Sequence, residues 1–431
     1  MSNHDVLKVV LHTLAEEAVG CAKTDPRGIG AYRTRVAGND PGADALFTSL
    51  TGFGPALSAI GSVPGSKENY SEYELEQLAL LFVYAFLRFL AGPDFSEDAF
   101  ETAWASLSDE LAAPSWKHVS VANLCNFESR SPLLDFGNNV TIRHRDLTYL
   151  RGLVGVDTVD AIEQDWQSCG RPSAYVIMAE HVRPKRPEEA RFMDQLNLQL
   201  KTDRLMLALR LSAGGDVRTG RTFFARPAFL PRQLSLVSFC GDASWNPGRS
   251  YRVEDADMPK VRELCALIQR FEGPTAEAWK NVGVAIRSFT AIYDRRYGQK
   301  EDRIVDAVTA VEALVGADTE IAFRVANRVA WLLGNDDDDR EKIYEAMKRF
   351  YDARSKIVHG VPLKPKQQSV LNDDSALMEL VRRLLVAFIR LACSGAYGRQ
   401  TLSDTIDVRL VHGVKREHLR KHMGLVASAG A

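Results

Sequence analysis

The stretch KRFYDARSKIVHGVPLKP, residues 348–365, places Arg354 and His359 five positions apart. An arginine keeps its positive charge in any protein environment and presents a planar fork of donors that grips oxyanions. Histidine is the side chain whose ordinary titration lies nearest neutral pH, so it can accept or deliver a proton. Together these two types permit anion binding with proton transfer. An element of the fold must then hold them near each other and near solvent.

That element reads as a helix over residues 340–359. At about 100° per residue, Ile343, Ala346, Phe350, Ala353 and Ile357 fall on one side, with Met347 and Val358 at its edge. Arg354 lies inside this apolar stripe. An unpaired buried guanidinium is very costly, so it must snorkel to solvent, pair with a carboxylate, or face an anion across an interface. Tyr351, Ser355 and His359 follow one another at i, i+4 and i+8 and make a polar stripe alongside. Gly360 supplies the left-handed residue that ends helices, and Pro362 blocks resumption. His359 therefore sits in the last turn. There the negative end of the helix dipole favours the protonated imidazole and places its titration close to neutral pH.

Two neighbouring helical stretches carry matching intrusions. In RIVDAVTAVEALVG the stripe is Ile304, Val308, Val311 and Val315, with Glu312 inside it. In EIAFRVANRVAWLL it is Ile321, Val325 and Leu332, with Arg328 inside and Arg324 at the border. A carboxylate and several guanidiniums on adjacent helices predict an ion-paired network. Its simplest form pairs Glu312 with Arg328 and fixes helix register, which leaves Arg354 in need of another anion.

The wider chain is α+β. Residues 1–112 read as a helical region, with a Gly-, Pro- and Ser-rich loop near 24–70. SEYELEQLALLFVYAFLRFL is a helix that ends before Gly92-Pro93, and Ser96 opens the next one. Residues 113–272 read as a mixed, β-rich region. HVSVANL, NVTIRH, AYVIMAEHV, LMLALRL, VRTGRTFFA and LSLVSFC are its candidate strands, and AGGD (213–216) is a hairpin turn. Leu205, Leu207, Leu209 and Leu211 fall at a period of two. Helices return over 259–271, 275–297, 301–315, 319–333, 340–359 and 375–393, so 273–395 reads as a helical bundle. NDDDD (335–339) lacks the glycine and closing glutamate of a calcium loop and reads as an acidic helix start. Residues 396–431 read as a basic tail.

Composition narrows the function classes. With 431 residues, 45% hydrophobic and 26% charged, the chain is of the soluble globular class with two or three domains. A net charge of -2 means that nucleic-acid binding must come from a local patch. The six cysteines are scattered with no CxxC pair, which argues against a zinc ribbon and suits a reducing compartment. The run LALLFVYAFL (78–87) is half the length of a membrane span and reads as a core helix; a cytoplasmic location is expected. No GKS/T, HExxH or GxSxG motif supports an ATPase, zinc protease or serine hydrolase. In HGVKREHLRKH, His418 and His422 stand at i, i+4 with no further metal ligand nearby. Lys415, Arg416, Arg420 and Lys421 make this a basic helix able to follow a phosphate backbone.

The series EDRIVDAVTAVEALVG, EIAFRVANRVAWLLG and YDARSKIVHG, with Arg-x4-His in the last, resembles the HEPN superfamily, and within it the ApeA-like branch. LLDFGNNVTIRHRDLTYLRGL and DRLMLALRLSAGGDVRTG are similar to the β-containing part that precedes HEPN in those proteins, so the resemblance covers roughly residues 115–395. It implies a metal-independent endoribonuclease that needs no cofactor, acting on structured RNA such as tRNA in anti-phage defence, by abortive infection, or as a toxin. It implies a homodimer or higher homo-oligomer whose motifs form one composite site. Arg354 would hold the scissile phosphate, and His359 would act as base on the 2′-hydroxyl or acid on the leaving oxygen. Ser355 and Tyr351 would complete the site, and the product would be a 2′,3′-cyclic phosphate. Lys356 joins the basic C-terminal residues as an expected RNA contact. Residues 1–270 would sense a trigger, such as a phage-derived protein, or restrain the bundle, with no membrane partner. Ser355 departs from the Asn, Asp or His that often follows the arginine in catalytic members. Other members are non-catalytic modules for RNA binding, protein binding or dimerisation, and that alternative stays open.

Overall fold

A computed structural model describes residues 2–32, 41–154, 156–168, 172–185, 191–225, 250–294, 300–316, 319–372 and 374–426. The fold is α+β, with helices at both ends and a small antiparallel sheet between them. The candidate strand LSLVSFC lies outside the described residues.

The first region holds α1 (Asn3–Thr24), α2 (Pro41–Thr48), α3 (Phe53–Gly61), α4 (Ser66–Asn69), α5 (Glu72–Phe89) and α6 (Glu97–Ala112). Residues 24–70, expected as a loop, thus contain short helices. The Gly- and Pro-rich run still offers Ala43, Phe47, Phe53, Ala56 and Ile60 for burial, and burying them folds the segment down. Ser71 caps α5 reciprocally, its hydroxyl accepting from the Glu74 N–H while the Glu74 carboxylate accepts from the Ser71 N–H at 3.0 Å. Every residue from Leu78 to Leu87 is buried, with α1, α3 and α6 packed against α5, so the apolar run is a core helix. Among the described residues no helix is long and apolar enough to cross a membrane.

The middle region contributes β1 (Ser115–Cys125), β2 (Phe127–Glu128), β3 (Leu133–Asp135), β4 (Val140–His144), α7 (Leu147–Val154), α8 (Val156–Ser168), β5 (Pro172–Pro184), α9 (Arg191–Ser212), β6 (Arg218–Ala225) and β7 (Tyr251–Arg252). The main sheet has the order β3-β4-β5-β1-β6, and β2 pairs with β7 apart from it. On one face Val119, Val121, Val176, Met178 and Phe223 meet Leu150, Val159 and Ile162 of α7 and α8. On the other, Ile142, Ile177 and Ala179 join the core that includes α9.

The leucines at 205–211 belong to α9 and not to a strand. Leu205, Met206, Leu207, Ala208, Leu209 and Leu211 are all buried, because α9 is enclosed by β5, β1, α10 (Met258–Phe271) and α17 (Ser375–Ser394). A helical segment buried all round, as α9 is over 205–211, shows no amphipathic stripe, so a period of two among its leucines carries no information about the element. AGGD is accordingly the link from α9 to β6, not a hairpin turn. Its Gly215 has φ +144 and lies so close to Tyr251 that an added Cβ would stand 2.8 Å from that ring.

The last region adds α11 (Pro274–Ala278), α12 (Lys280–Asp294), α13 (Lys300–Val315), α14 (Ile321–Leu333), α15 (Asp337–Val358), α16 (Pro365–Asn372), α18 (Arg399–Val411) and α19 (Gly413–His422) to α10 and α17. The helix expected over 275–297 is broken at Trp279, whose side chain turns into the core. One continuous apolar core runs from the inner sheet face through α9 and α10 into this bundle, and it includes Leu402, Ile406, Leu410, Leu419 and Met423 of α18 and its successors.

A buried charge ties the first region to the sheet. The Lys185 ammonium, wholly enclosed just after β5, lies 3.6 Å from the Glu110 carboxylate of α6 and donates to the Tyr70 hydroxyl at 2.7 Å. Trp116 of β1 donates to the same carboxylate at 3.2 Å. Replacing Glu110 by alanine strands that ammonium, and we expect a loss of about 3 kcal/mol in urea unfolding. A loss below about 1 kcal/mol would show that the link carries no weight.

Candidate functional site

Asp336 caps α15, its carboxylate accepting from the Asp339 N–H at 2.8 Å, with Asp337, Asp338 and Asp339 in the first turn. The acidic run is the helix start that its composition predicts. Ile343, Met347, Phe350 and Ala353 form the buried face. Val358, expected at the stripe's edge, is half exposed, while Ile357 beside it packs against the core.

The helix ends in a Schellman arrangement. The Val361 N–H donates to the Lys356 carbonyl at 2.8 Å, the Gly360 N–H donates to Ile357 at 3.1 Å, and Gly360 takes φ +65. His359 is the C-cap and its ring is exposed. Immediately beyond it, Gly360, Val361 and Leu363 line a cleft of about 620 Å³ with Lys300 and Gln368.

Arg354 lies one turn earlier, about a quarter exposed. It donates from one terminal nitrogen to Glu312 of α13 at 3.2 Å. Its Nε is buried and has no partner among the described residues. The guanidinium also stands 6.0 Å from the Tyr351 ring. Burial pushes the Tyr351 phenol above its ordinary range, and hydrogen bonding to Glu312 and that carboxylate's negative charge add to the shift. Tyr351, Arg354 and Glu312 are thus one cluster, while Ser355 is half-buried on the same helix. Lys356 pairs with Asp352 at 3.3 Å.

The expected Glu312–Arg328 pair does not form. Arg328, buried in α14, makes a bidentate contact with Asp407 of α18 at 2.6 and 2.8 Å. It also donates to the carbonyls of Val315 and Gly316 at 2.9 and 2.6 Å, closing the C-terminus of α13. Arg324 adds longer contacts to Asp407 at 3.5 Å and Glu320 at 3.7 Å. The hydrogen bonds and charge of Arg328 hold the Asp407 carboxyl below its ordinary range. With Arg328 satisfied elsewhere, Glu312 is left to Arg354. Sequence reasoning did not single out Asp407. It is 79 positions from Arg328, and an aspartate on a polar helix face carries no distinguishing signal.

The basic C-terminal residues divide. Lys415 and Lys421 are exposed. Arg420, expected as an RNA contact, is instead buried and donates to the Gly334 carbonyl and Asn335 Oδ1 at 3.0 and 3.1 Å, closing the end of α14. Arg416 lies over the Trp331 ring at 4.5 Å. Both guanidiniums fill places where the bundle needs a flat donor against a carbonyl or an indole. His418 bonds the Tyr397 hydroxyl through Nδ1 at 2.7 Å. No group of three or more metal-ligating side chains is found among the described residues.

No protein-family model matches the chain, and comparison with curated proteins and with solved structures yields no match.

Asp407→Asn should cost about 1–2 kcal/mol in urea unfolding at neutral pH, moderated because Asp407 is nearly half solvent-exposed. Its folded pKa lies below the unfolded value, so its contribution is present above the ordinary carboxylate range and is lost as pH falls through the folded value. The gap between wild type and variant should therefore close in acid. A gap independent of pH would rule out the ion pair as its source.

Proposed function

We propose that this chain is a metal-independent endoribonuclease of the HEPN type. It acts as a homodimer on structured RNA such as tRNA, in bacterial anti-phage defence. The observation that carries this reading is the state of Arg354. A single contact to Glu312 leaves guanidinium donors over, on the same last two turns as the exposed imidazole of His359. The Arg354 side chain is about a quarter exposed, and a phosphate oxygen is an acceptor that suits a guanidinium within reach of solvent.

In this reading Arg354 grips the scissile phosphate and offsets the charge that develops on it. His359 takes the 2′-hydroxyl proton, the 2′-oxygen bonds to phosphorus, and the P–O5′ bond breaks. A second copy's imidazole protonates the departing 5′-oxygen, leaving a 2′,3′-cyclic phosphate. Exposed Lys415 and Lys421 supply backbone contacts away from the motif. The N-terminal two thirds restrain the bundle until a trigger, such as a phage-derived protein, releases it.

A second reading is favoured by the same ion pair. Glu312 occupies part of the Arg354 guanidinium, and Ser355 is a weak hydrogen-bonding group at its side, as in a silent module that binds RNA or protein. The two readings separate on total RNA and purified tRNA incubated in EDTA, together with expression toxicity. Wild type should cleave, and toxicity should depend on His359. His359→Ala should lose at least about 100-fold in rate with its thermal midpoint unchanged. Arg354→Ala should be folded and lose about 100- to 1,000-fold. RNA left intact by a wild type that is also non-toxic supports the silent module. Unfolding of Arg354→Ala makes that arginine structural.

A further inference from the structure

A second concave site is lined in part by Glu312. A cavity of about 210 Å³ opens where the last turn of α13 meets α12, α17 and α18. Trp279, Phe388 and Leu402 give it apolar and aromatic walls. Asn281, Glu312, Arg328, Arg399 and Ser403 give it polar groups, Arg328 already engaged by Asp407 and two carbonyls, and Arg399 and Ser403 at the exposed rim. Asn281 Oδ1 is buried and has no hydrogen-bond partner among the described residues. Such an acceptor is expensive to keep without a donor, and a ligand entering the cavity can bring one.

The chemistry narrows the ligand. The volume is below the roughly 300–1,000 Å³ typical of sites that enclose a drug-sized molecule, so a single ring system enters and the rest stays outside. Aromatic walls favour a flat, polarisable ring. An amide presents an acceptor beside a donor, which matches the hydrogen-bonding edge of a nucleobase. A guanidinium at the mouth suits the phosphate that such a base would carry.

We propose that this cavity is a nucleobase subsite, taking one unpaired base with its edge on Asn281 and its phosphate at Arg399. The base belongs either to a bound RNA or to a free nucleotide. Glu312, whose carboxylate holds Arg354, also lines the cavity, so the subsite and the motif share a wall on α13. Only the RNA form of this inference rests on the nuclease reading, as RNA lying across Arg354 would turn one base into the cavity.

Calorimetric titration of the full chain with AMP, with adenosine and with a short 2′-O-methyl oligoadenylate that cannot be cleaved tests the subsite. AMP should bind at one site per chain. Arg399→Ala should weaken AMP about tenfold while leaving adenosine unchanged. Ser403→Trp, which plugs the mouth from an exposed position, should abolish binding with an unchanged thermal midpoint. An oligoadenylate that binds more tightly than AMP, and is weakened by both Ser403→Trp and Arg354→Ala, identifies RNA as the source of the base. AMP binding at least as tight as the oligomer's identifies a free nucleotide. Failure of folded wild type to bind any of the three, or equal affinities in wild type and Ser403→Trp, overturns the subsite. Intact AMP binding in a protein that never cleaves RNA removes the nuclease reading and leaves the subsite standing.

Discussion

A guanidinium cannot shed its charge, so each one that the bundle encloses must be given an acceptor, and the allocation of acceptors decides the candidate site. Arg328 takes both oxygens of Asp407 and two carbonyls at the end of α13. Arg420 takes a carbonyl and an amide oxygen at the end of α14. Both close helix ends that a core would otherwise leave with bare carbonyls. Arg354 closes no helix end: its hydrogen bond goes to a side chain, Glu312, through one terminal nitrogen at 3.2 Å. Arg328 and Arg420 serve the scaffold, whereas Arg354 is held by one side-chain contact and stays about a quarter exposed.

This division explains what composition and periodicity revealed and what they concealed. The end of α15 was readable because its signals are local: the acidic start, the apolar spacing from Ile343 to Ala353, and Gly360 followed by Pro362. The intruding charges on α13, α14 and α15 were visible as breaks in apolar stripes. Which carboxylate meets which guanidinium was not, because that depends on a helix that returns from residues 399–411 to bring Asp407 over α14. The same limit applies to Arg420. Beside Lys415, Arg416 and Lys421 it looks like one more surface cation, and only the packing of α19 against the end of α14 shows that it is buried.

The error over 205–211 has a different origin. Binary patterning reports which face of an element meets water, and the C-terminal half of α9, residues 205–211, is buried between sheet and helices. Over 205–211 there is no exposed face and so no period to read, and four alternating leucines can belong to either element. The length of the helix, and its content of Leu, Met, Gln and Lys, held the remaining information. Its burial has structural weight, since α9 is where the sheet and the bundle become one apolar core.

The geometry at the end of α15 also bears on how a paired arginine can still serve an anion. Glu312 and Arg354 are each about a fifth to a quarter exposed, so their attraction is screened by nearby water and is modest for an ion pair. A doubly coordinated phosphate competes well against a single nitrogen–oxygen contact, because two parallel charge-assisted bonds replace one. Glu312 need not be left bare when that happens, since Tyr351 stands beside it as a donor whose proton is held firmly by burial and by that carboxylate. His359 does not have to move, because the Schellman cap fixes its backbone. The cluster thus has a cheap exchange available to it. In the proposed reading, Arg354 exchanges an internal carboxylate for an external oxyanion, with Tyr351 beside Glu312 and the imidazole on a capped helix end.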